Sequence, residues 1–368
     1  MASERIEGLA AVLSAVRAET GVTQPKLVER VGLGRSVVAQ RVAELERAGL
    51  IEGAGLGPSS GGRAPRRLRL RAERGVVVGI DIGPAELVVG IADLTGAVLA
   101  TRQQRVDVAG GPEAVLTLAE TLAAELCRAR RRPVWAVGVG VPGPVEFRTG
   151  LPVVPPIMPG WDRYPIRDRL RSRFGAPVWV DNDVNLMALG ELHAGSGTAG
   201  HMLYVRAGVG IGAAIVMDGR LYRGANGSAG DIGHVAIPEG DNVICRCGNI
   251  GCLEAVAGGV TTSDPARATL IGGTLATLVS FYNPNLLVLG GSLARGGAPV
   301  LGAVREVIHK RALPLATRDL RIELSSVPEE IAGVTGAIAL ALDEVFAPVN
   351  LEVWLAAGSP DQVPQNVW

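Results

Sequence analysis

Three of the four cysteines in this 368-residue chain, Cys245, Cys247 and Cys252, fall within eight positions of the segment CRCGNIGCLE. Thiolates crowded in this way suit a metal site in a reducing compartment better than a disulfide framework. The spacing Cys-x-Cys-x4-Cys also departs from the Cys-x-x-Cys pattern of a redox pair. Asn182–Asp183 in VDNDVNLMALGE, taken alone, reads as a loop or helix cap before the helical run that follows.

The elements that would carry these groups begin with a separate N-terminal module. Leu9, Val12, Leu13 and Val16 share one helical face, and TGVTQPKLVERV starts a second helix with Thr23 as N-cap and Pro25 in its first turn. A turn at Gly32 to Gly34 leads into a third helix whose buried stripe is Val38, Val42 and Leu45. Arg35, Ser36, Gln40 and Arg41 then face elsewhere, as in a helix-turn-helix whose later helix enters a major groove. A strand-like start, a Gly/Ser tip and the arginines Arg63, Arg66, Arg67, Arg69 and Arg71 read as a wing reaching along phosphates. A solvated three-helix cap followed by a basic linker is the alternative.

From Gly75 onward, apolar runs end in glycine turns: GVVVGIDIG, LVVGIADLTGAVLA, a helical stretch from Pro112 to Arg132, then VWAVGVGVPGPV. A similar series starts at HMLYVRAGVGIGAAIVMDGRLYRG and ends with NLLVLGGSLARGG. This is an α/β layout with mixed sheets in two halves and a cleft between them. No run of about 18 apolar residues occurs and the N-terminus is unlike a signal peptide, which points to a cytoplasmic protein that does not enter a membrane. Net charge is zero, yet residues 1–75 carry 13 basic and 8 acidic residues, an asymmetry that favours a nucleic-acid-facing N-terminus.

GIDIG at 79–83, GVPGPV at 140–145, VDNDVNLMALGE at 180–191, GDIGH at 230–234 and CRCGNIGCLE together resemble the ROK family (repressors, open reading frames, kinases). With a winged helix in front, the resemblance is to its sugar-responsive transcriptional regulators. It implies an actin-like, hexokinase-type bilobal ATPase fold preceded by an α+β winged helix-turn-helix domain, assembled as a homodimer or homotetramer. The expected division is 1–73 for the DNA-binding domain, 74–195 and 196–346 for the two lobes, and 347–368 for a partly disordered tail. Family members usually have a longer helical segment after Glu254, so the second lobe is expected to be shortened near 258–270.

Carried over position by position, Gly143, Asn182, Asp183, Asp231, His234 and Glu254 match the sugar-binding set, with Asp231 replacing the family's glutamate and Asp183 at the kinase general base. His234 with Cys245, Cys247 and Cys252 would make a closed tetrahedral set for a structural Zn2+. The phosphate loops are degraded. Around Asp81 and Gly83 the family's DIGGTK becomes DIGPAE, where Pro84 lacks an amide donor and Glu86 brings the wrong charge. Around Gly208, Gly210 and Gly212, Val209 stands where kinases carry Thr. These losses argue against ATP and Mg2+. The implied function is a sugar-responsive DNA-binding regulator of carbohydrate metabolism, a repressor whose partners are operator DNA and a monosaccharide or derivative. The alternatives are a glucokinase-like, ATP-dependent sugar kinase with an appended DNA-binding domain, and a constitutive DNA-binding scaffold with a vestigial sugar site.

Overall fold

A computed structural model describes residues 2–57, 64–195, 200–259, 264–364 and 367–368. The expected contact Arg63 and the tip of the wing lie outside them. The head comprises α1 (Ala2–Ala18), β1 (Val22–Thr23), α2 (Gln24–Val31), α3 (Arg35–Arg47), β2 (Ile51–Leu56) and β3 (Arg66–Leu70). The predicted stripe on α1 is buried together with Val38, Val42 and Leu45 of α3. Gly32 ends α2 in the left-handed region at φ +66°, the conformation that closes a helix most cheaply when the residue lacks a Cβ. The three strands pair in the order β1-β3-β2, so the segment after α3 is the antiparallel ribbon of a wing.

The body repeats one topology twice. The first unit runs β4 (Val76–Ile82), β5 (Glu86–Ala92), β6 (Val98–Arg105), α4 (Pro112–Arg128), β7 (Val134–Val141), a small pair β8 (Val145–Glu146) and β9 (Leu151–Pro152), α5 (Ile166–Phe174) and β10 (Val178–Asn182). Next comes α6 (Asp183–His193), followed by β11 (Met202–Ala207), β12 (Ile211–Met217), β13 (Arg220–Tyr222), α7 (Leu253–Ala257), α8 (Pro265–Tyr282), β14 (Leu286–Gly290), α9 (Gly297–Arg311), α10 (Pro314–Thr317) and β15 (Arg321–Leu324). Sheet orders β10-β7-β4-β5-β6 and β13-β12-β11-β14-β15 are the same arrangement, with the first three strands of each antiparallel and the last two added in parallel. Central strands buried on both faces are almost wholly apolar, as in VVVGI and LLVLG.

The chain closes with α11 (Glu329–Val345) and α12 (Pro348–Leu355). Although α11 falls within the stretch expected as the second lobe, it packs on β4, β5 and β7 of the first sheet and against α6. Gly336 allows that crossing, because a Cβ there would lie 1.7 Å from the Leu186 carbonyl oxygen. Within the stretch expected as a partly disordered tail, Pro348–Leu355 form α12, with Leu351 and Trp354 fully buried, while residues 365–366 lie outside the described residues. Trp354 stands edge-on to Trp135 of β7, with centroids 5.3 Å apart, and its Nε1 donates to the Val345 carbonyl at 2.8 Å. It belongs to a core that also takes in α1 of the head. Among the described residues no single helix is long and apolar enough to cross a membrane. The apolarity of α11 reflects burial on nearly every side.

The second lobe has a continuous core despite the expected shortening. Its sheet is covered by α7, α8 and α9 through Leu253, Ile271, Leu275, Val300 and Val304. Residues 260–263 lie outside the described residues.

Candidate functional site

The interlobe cleft has a cavity of about 130 Å³ and is lined from both halves of the body. Gly143 and Asn182 come from the first lobe, and Asp183 comes from the first turn of α6. Asp231, His234 and Glu254 come from the second lobe. All six expected sugar-binding residues line this one cavity.

Asn182 serves both sequence readings. Its Oδ1 accepts from the Val184 amide at 2.9 Å as the N-cap of α6, while its Nδ2 donates to the Gly143 carbonyl at 3.0 Å. The cap thereby fixes the loop carrying Gly143. A Cβ on Gly143 would sit 2.9 Å from Cβ of Pro155, so the need for glycine there includes local packing as well as room for a ligand. Gly230 has φ +99° and its Cβ would lie 2.0 Å from the Ala213 carbonyl oxygen, which holds the 227–231 loop tight against β12.

Asp183 is buried, and its Oδ1 accepts from the Val184 amide at 2.9 Å. Burial raises its carboxyl above the usual range, opposed by the guanidinium of Arg206, whose Nη1 lies 3.8 Å from Asp183 Oδ2. Asp81, at the end of β4, has one buried oxygen, Oδ1, without a hydrogen-bond partner among the described residues. Burial first, and the neighbouring Asp183 carboxylate second, push Asp81 up to about 7. The two carboxyls and Arg206 thus form one electrostatic unit at the cleft floor.

The phosphate-loop residues divide. Pro84, Val209, Gly210 and Gly212 line the cavity, whereas Gly83 and Gly208 do not. Glu86 departs from expectation: it accepts a hydrogen bond from Gln103 Nε2 of β6 at 2.9 Å, so its charge is spent along the sheet and not in the cleft.

Glu254, at the start of α7, accepts from the Ile211 amide at 2.9 Å, beside Gly210 and Gly233. Backbone bonds from Leu253 to Val235 and from Glu254 to Gly233, each 2.9 Å, fasten it next to His234. His234, Cys245, Cys247 and Cys252 bring one ligand atom each within 4.8 Å of one another. His234 Nδ1 is 3.7 Å from Cys245 Sγ while Nε2 faces Asp231 at 4.0 Å, so the ring presents one nitrogen to the sulfurs and the other to the cleft. One imidazole and three sulfurs are a compact, soft donor set compatible with a tetrahedral metal ion.

On the head, Arg35, Ser36 and Gln40 are exposed along α3, and Arg47 extends the same exposed side. Arg41 does not share it. Its side chain is 12% exposed and paired with Glu44 at 3.0 Å. Arg66 is exposed but pairs with Glu46 at 2.7 Å, and Arg67 lies over Gly21. The sequence reading missed Arg47, Arg206 and Arg246, the last two of which line the cleft. It also missed Arg223, whose Nε donates to buried Asp181 at 2.7 Å across the lobes. A lone arginine in a strand or loop gives no periodic signal.

A duplicated five-stranded α/β body with a cleft between its lobes and a winged helix in front defines a two-lobed protein of the hexokinase-type fold joined to a DNA-binding head. A ROK family sequence profile matches residues 77–268 and a winged helix-turn-helix DNA-binding profile matches 11–52. The chain belongs to the ROK family. It is 29% identical to a putative xylose repressor of Caldicellulosiruptor sp. (strain Rt8B.4), over 91% of this chain and 95% of that one. It is 28% identical to a glucokinase of Halalkalibacterium halodurans, over 70% of this chain and 92% of that one. The crystal structure of a ROK family transcriptional regulator, a homologue of the E. coli Mlc protein, superposes with a TM-score of 0.80 at 20% identity, covering 95% of this chain and 98% of that chain.

Proposed function

We propose that this protein is a sugar-responsive DNA-binding transcriptional repressor whose effector, a monosaccharide or close derivative, binds in the interlobe cleft. The observation that carries the reading is the union, in one chain, of a winged head with a cleft where Gly143, Asn182, Asp183, Asp231, His234 and Glu254 converge. A sugar ring offers alternating hydroxyls, and this cleft opposes them with carboxylates and an imidazole on both walls. Repressors whose names specify xylose are similar along nearly the whole chain.

In this reading α3 enters the major groove of an operator through Arg35, Ser36 and Gln40, helped by Arg47 and by wing arginines including Arg63, Arg66 and Arg67. A two-fold operator calls for a homodimer or a dimer of dimers. The protein acts in the cytoplasm on carbohydrate-metabolism genes. Zn2+ is the structural ion of the four-ligand cluster and supplies rigidity, since a set of one histidine and three cysteines leaves no open position for chemistry. Asp183 orients hydroxyls and does not activate them. Pro84 and Val209 line the cleft where the family's kinases carry phosphate-loop residues, and Arg206 is already beside the carboxylate.

Operator binding measured with and without a panel of monosaccharides tests this function. A fall in affinity with at least one sugar is expected, and equal affinity with every sugar would sink it. The reading as an ATP-dependent sugar kinase draws on Asp183 and on the glucokinases among the relatives. Sugar-dependent ATP turnover that disappears in Asp183→Ala would establish it.

A further inference from the structure

Two helices run from the cleft toward the head. On α6, Asp183 opens the first turn inside the cleft and His193 closes the last, about 15 Å away at 1.5 Å per residue. On α11, Gly333 receives the Asp81 carboxylate so closely that a Cβ would fall 2.1 Å from Oδ2, and Asp343 lies near the other end. The helices cross backbone to backbone at Gly190 and Gly336, a contact too close to slide without disturbing both. Their far ends meet at one carboxylate. His193 Nε2 lies 3.0 Å from Asp343 Oδ2, and Arg17 Nη2 of the head donates to Asp343 Oδ1 at 2.8 Å.

The Arg17 side chain is 15% exposed, and its Cζ lies 5.7 Å from the ring centroid of Phe346, the residue that ends α11. Asp343 therefore joins three elements through one charged group: α1 of the head, α6 of the cleft wall and α11 between them. A packing contact tolerates small rotations, but a carboxylate shared between two donors does not, because moving either donor lengthens a charge-assisted bond.

We propose that Asp343 is a positioning residue for DNA binding: with Arg17 and His193 it fixes the head relative to the cleft, so that a shift of α6 on effector binding is passed to α1. The proposal rests on the effector-cleft reading, and its test separates the two. Zinc-loaded full-length protein is compared with Arg17→Gln, His193→Gln, Asp343→Asn and the conservative Asp343→Glu. The probes are D-xylose, D-glucose and a duplex selected from random sequence by the wild-type chain. Calorimetry gives sugar affinity, and the ratio of duplex affinities without and with sugar gives the coupling.

Asp343→Asn and Arg17→Gln should keep sugar affinity within about twofold while the coupling ratio falls by about 2- to 30-fold. Asp343→Glu should retain most of the ratio. An unchanged ratio in both Asn and Gln variants overturns the proposal. If the wild-type ratio is one with every sugar, the effector reading fails, and amide hydrogen exchange without ligand decides the clasp alone. Faster exchange in both the second half of α1 and the last turn of α6 of Asp343→Asn supports it, and exchange equal to wild type in either helix overturns it.

Discussion

Asp81→Asn should stabilise the protein at pH 8 and leave its stability nearly unchanged at pH 4. The folded-state carboxyl of Asp81 is pushed up to about 7 from an ordinary value of 3.8, by burial and then by Asp183. Well below pH 4 the group is protonated both folded and unfolded and contributes nothing. Between there and pH 7 the unfolded chain gives up the proton while the folded chain keeps it, so the folded state binds more protons and stability falls as pH rises. Above 7 the penalty is constant. At about 1.4 kcal/mol per pH unit the bound is ~4 kcal/mol, and partial solvent contact of the residue brings this to roughly 2–4 kcal/mol. An amide fills the same space beside Gly333 without a charge to desolvate. Urea denaturation followed by tryptophan fluorescence at intervals from pH 4 to 8 measures the difference between variant and wild type, in which ionisations common to both cancel. The difference should open from near zero to its full value across pH 4 to 7. A difference that stays flat, or one that shrinks as pH rises, refutes the assignment of Asp81 as a penalised carboxylate.

Cys252→Ser, or exhaustive chelation, should remove one equivalent of bound zinc by mass and abolish sugar-induced thermal stabilisation; a variant that binds sugar normally would show that the Leu253–Val235 and Glu254–Gly233 backbone bonds hold Glu254 without the ion. Trp354→Ala should cost about 3–5 kcal/mol and loosen the head and body together, because this ring touches Trp135 and Phe346 in the core shared with α1; a calorimetric scan in which the head transition alone shifts would contradict that. Gly230→Ala must relieve both a left-handed φ and a Cβ 2.0 Å from the Ala213 carbonyl oxygen, so it should weaken sugar binding at least tenfold by displacing Asp231, and unaltered calorimetric affinity would refute the constraint. Gln40→Ala should weaken operator binding about fivefold to a hundredfold, at about 1–3 kcal/mol per base-reading contact, while Arg41→Ala should act mainly through stability because that side chain is turned onto Glu44; the converse pattern in gel-shift and thermal assays would reverse the assignment of exposed residues on α3.

What could be read in the sequence is what repeats at short range. The buried stripe of α1, the Gly32 turn, the apolar strands ending in glycine and the cysteines at 245, 247 and 252 each lie within a dozen residues of what they act on. A periodicity or a spacing therefore exposes them. The cleft set was legible for a different reason: its residues are far apart, and only their match to family motifs placed them on facing walls. Neither signal reaches Asp343. It sits 326 positions from Arg17 and 150 from His193, on a helix otherwise so apolar that an acid near its end reads as an ordinary solvated charge. The same blindness produced the errors over Glu86 and within residues 347–368. In each, a side chain or segment judged by its neighbours in sequence found a partner on another element: Gln103 for Glu86 and Trp135 for Trp354. These long-range partners are also where a regulator must differ from a kinase of the same fold. Chemistry needs only the cleft, whereas a response at the head needs rigid contacts that leave it. Here those contacts are the crossing of α6 and α11 at Gly190 and Gly336, the Trp354 core and the carboxylate of Asp343.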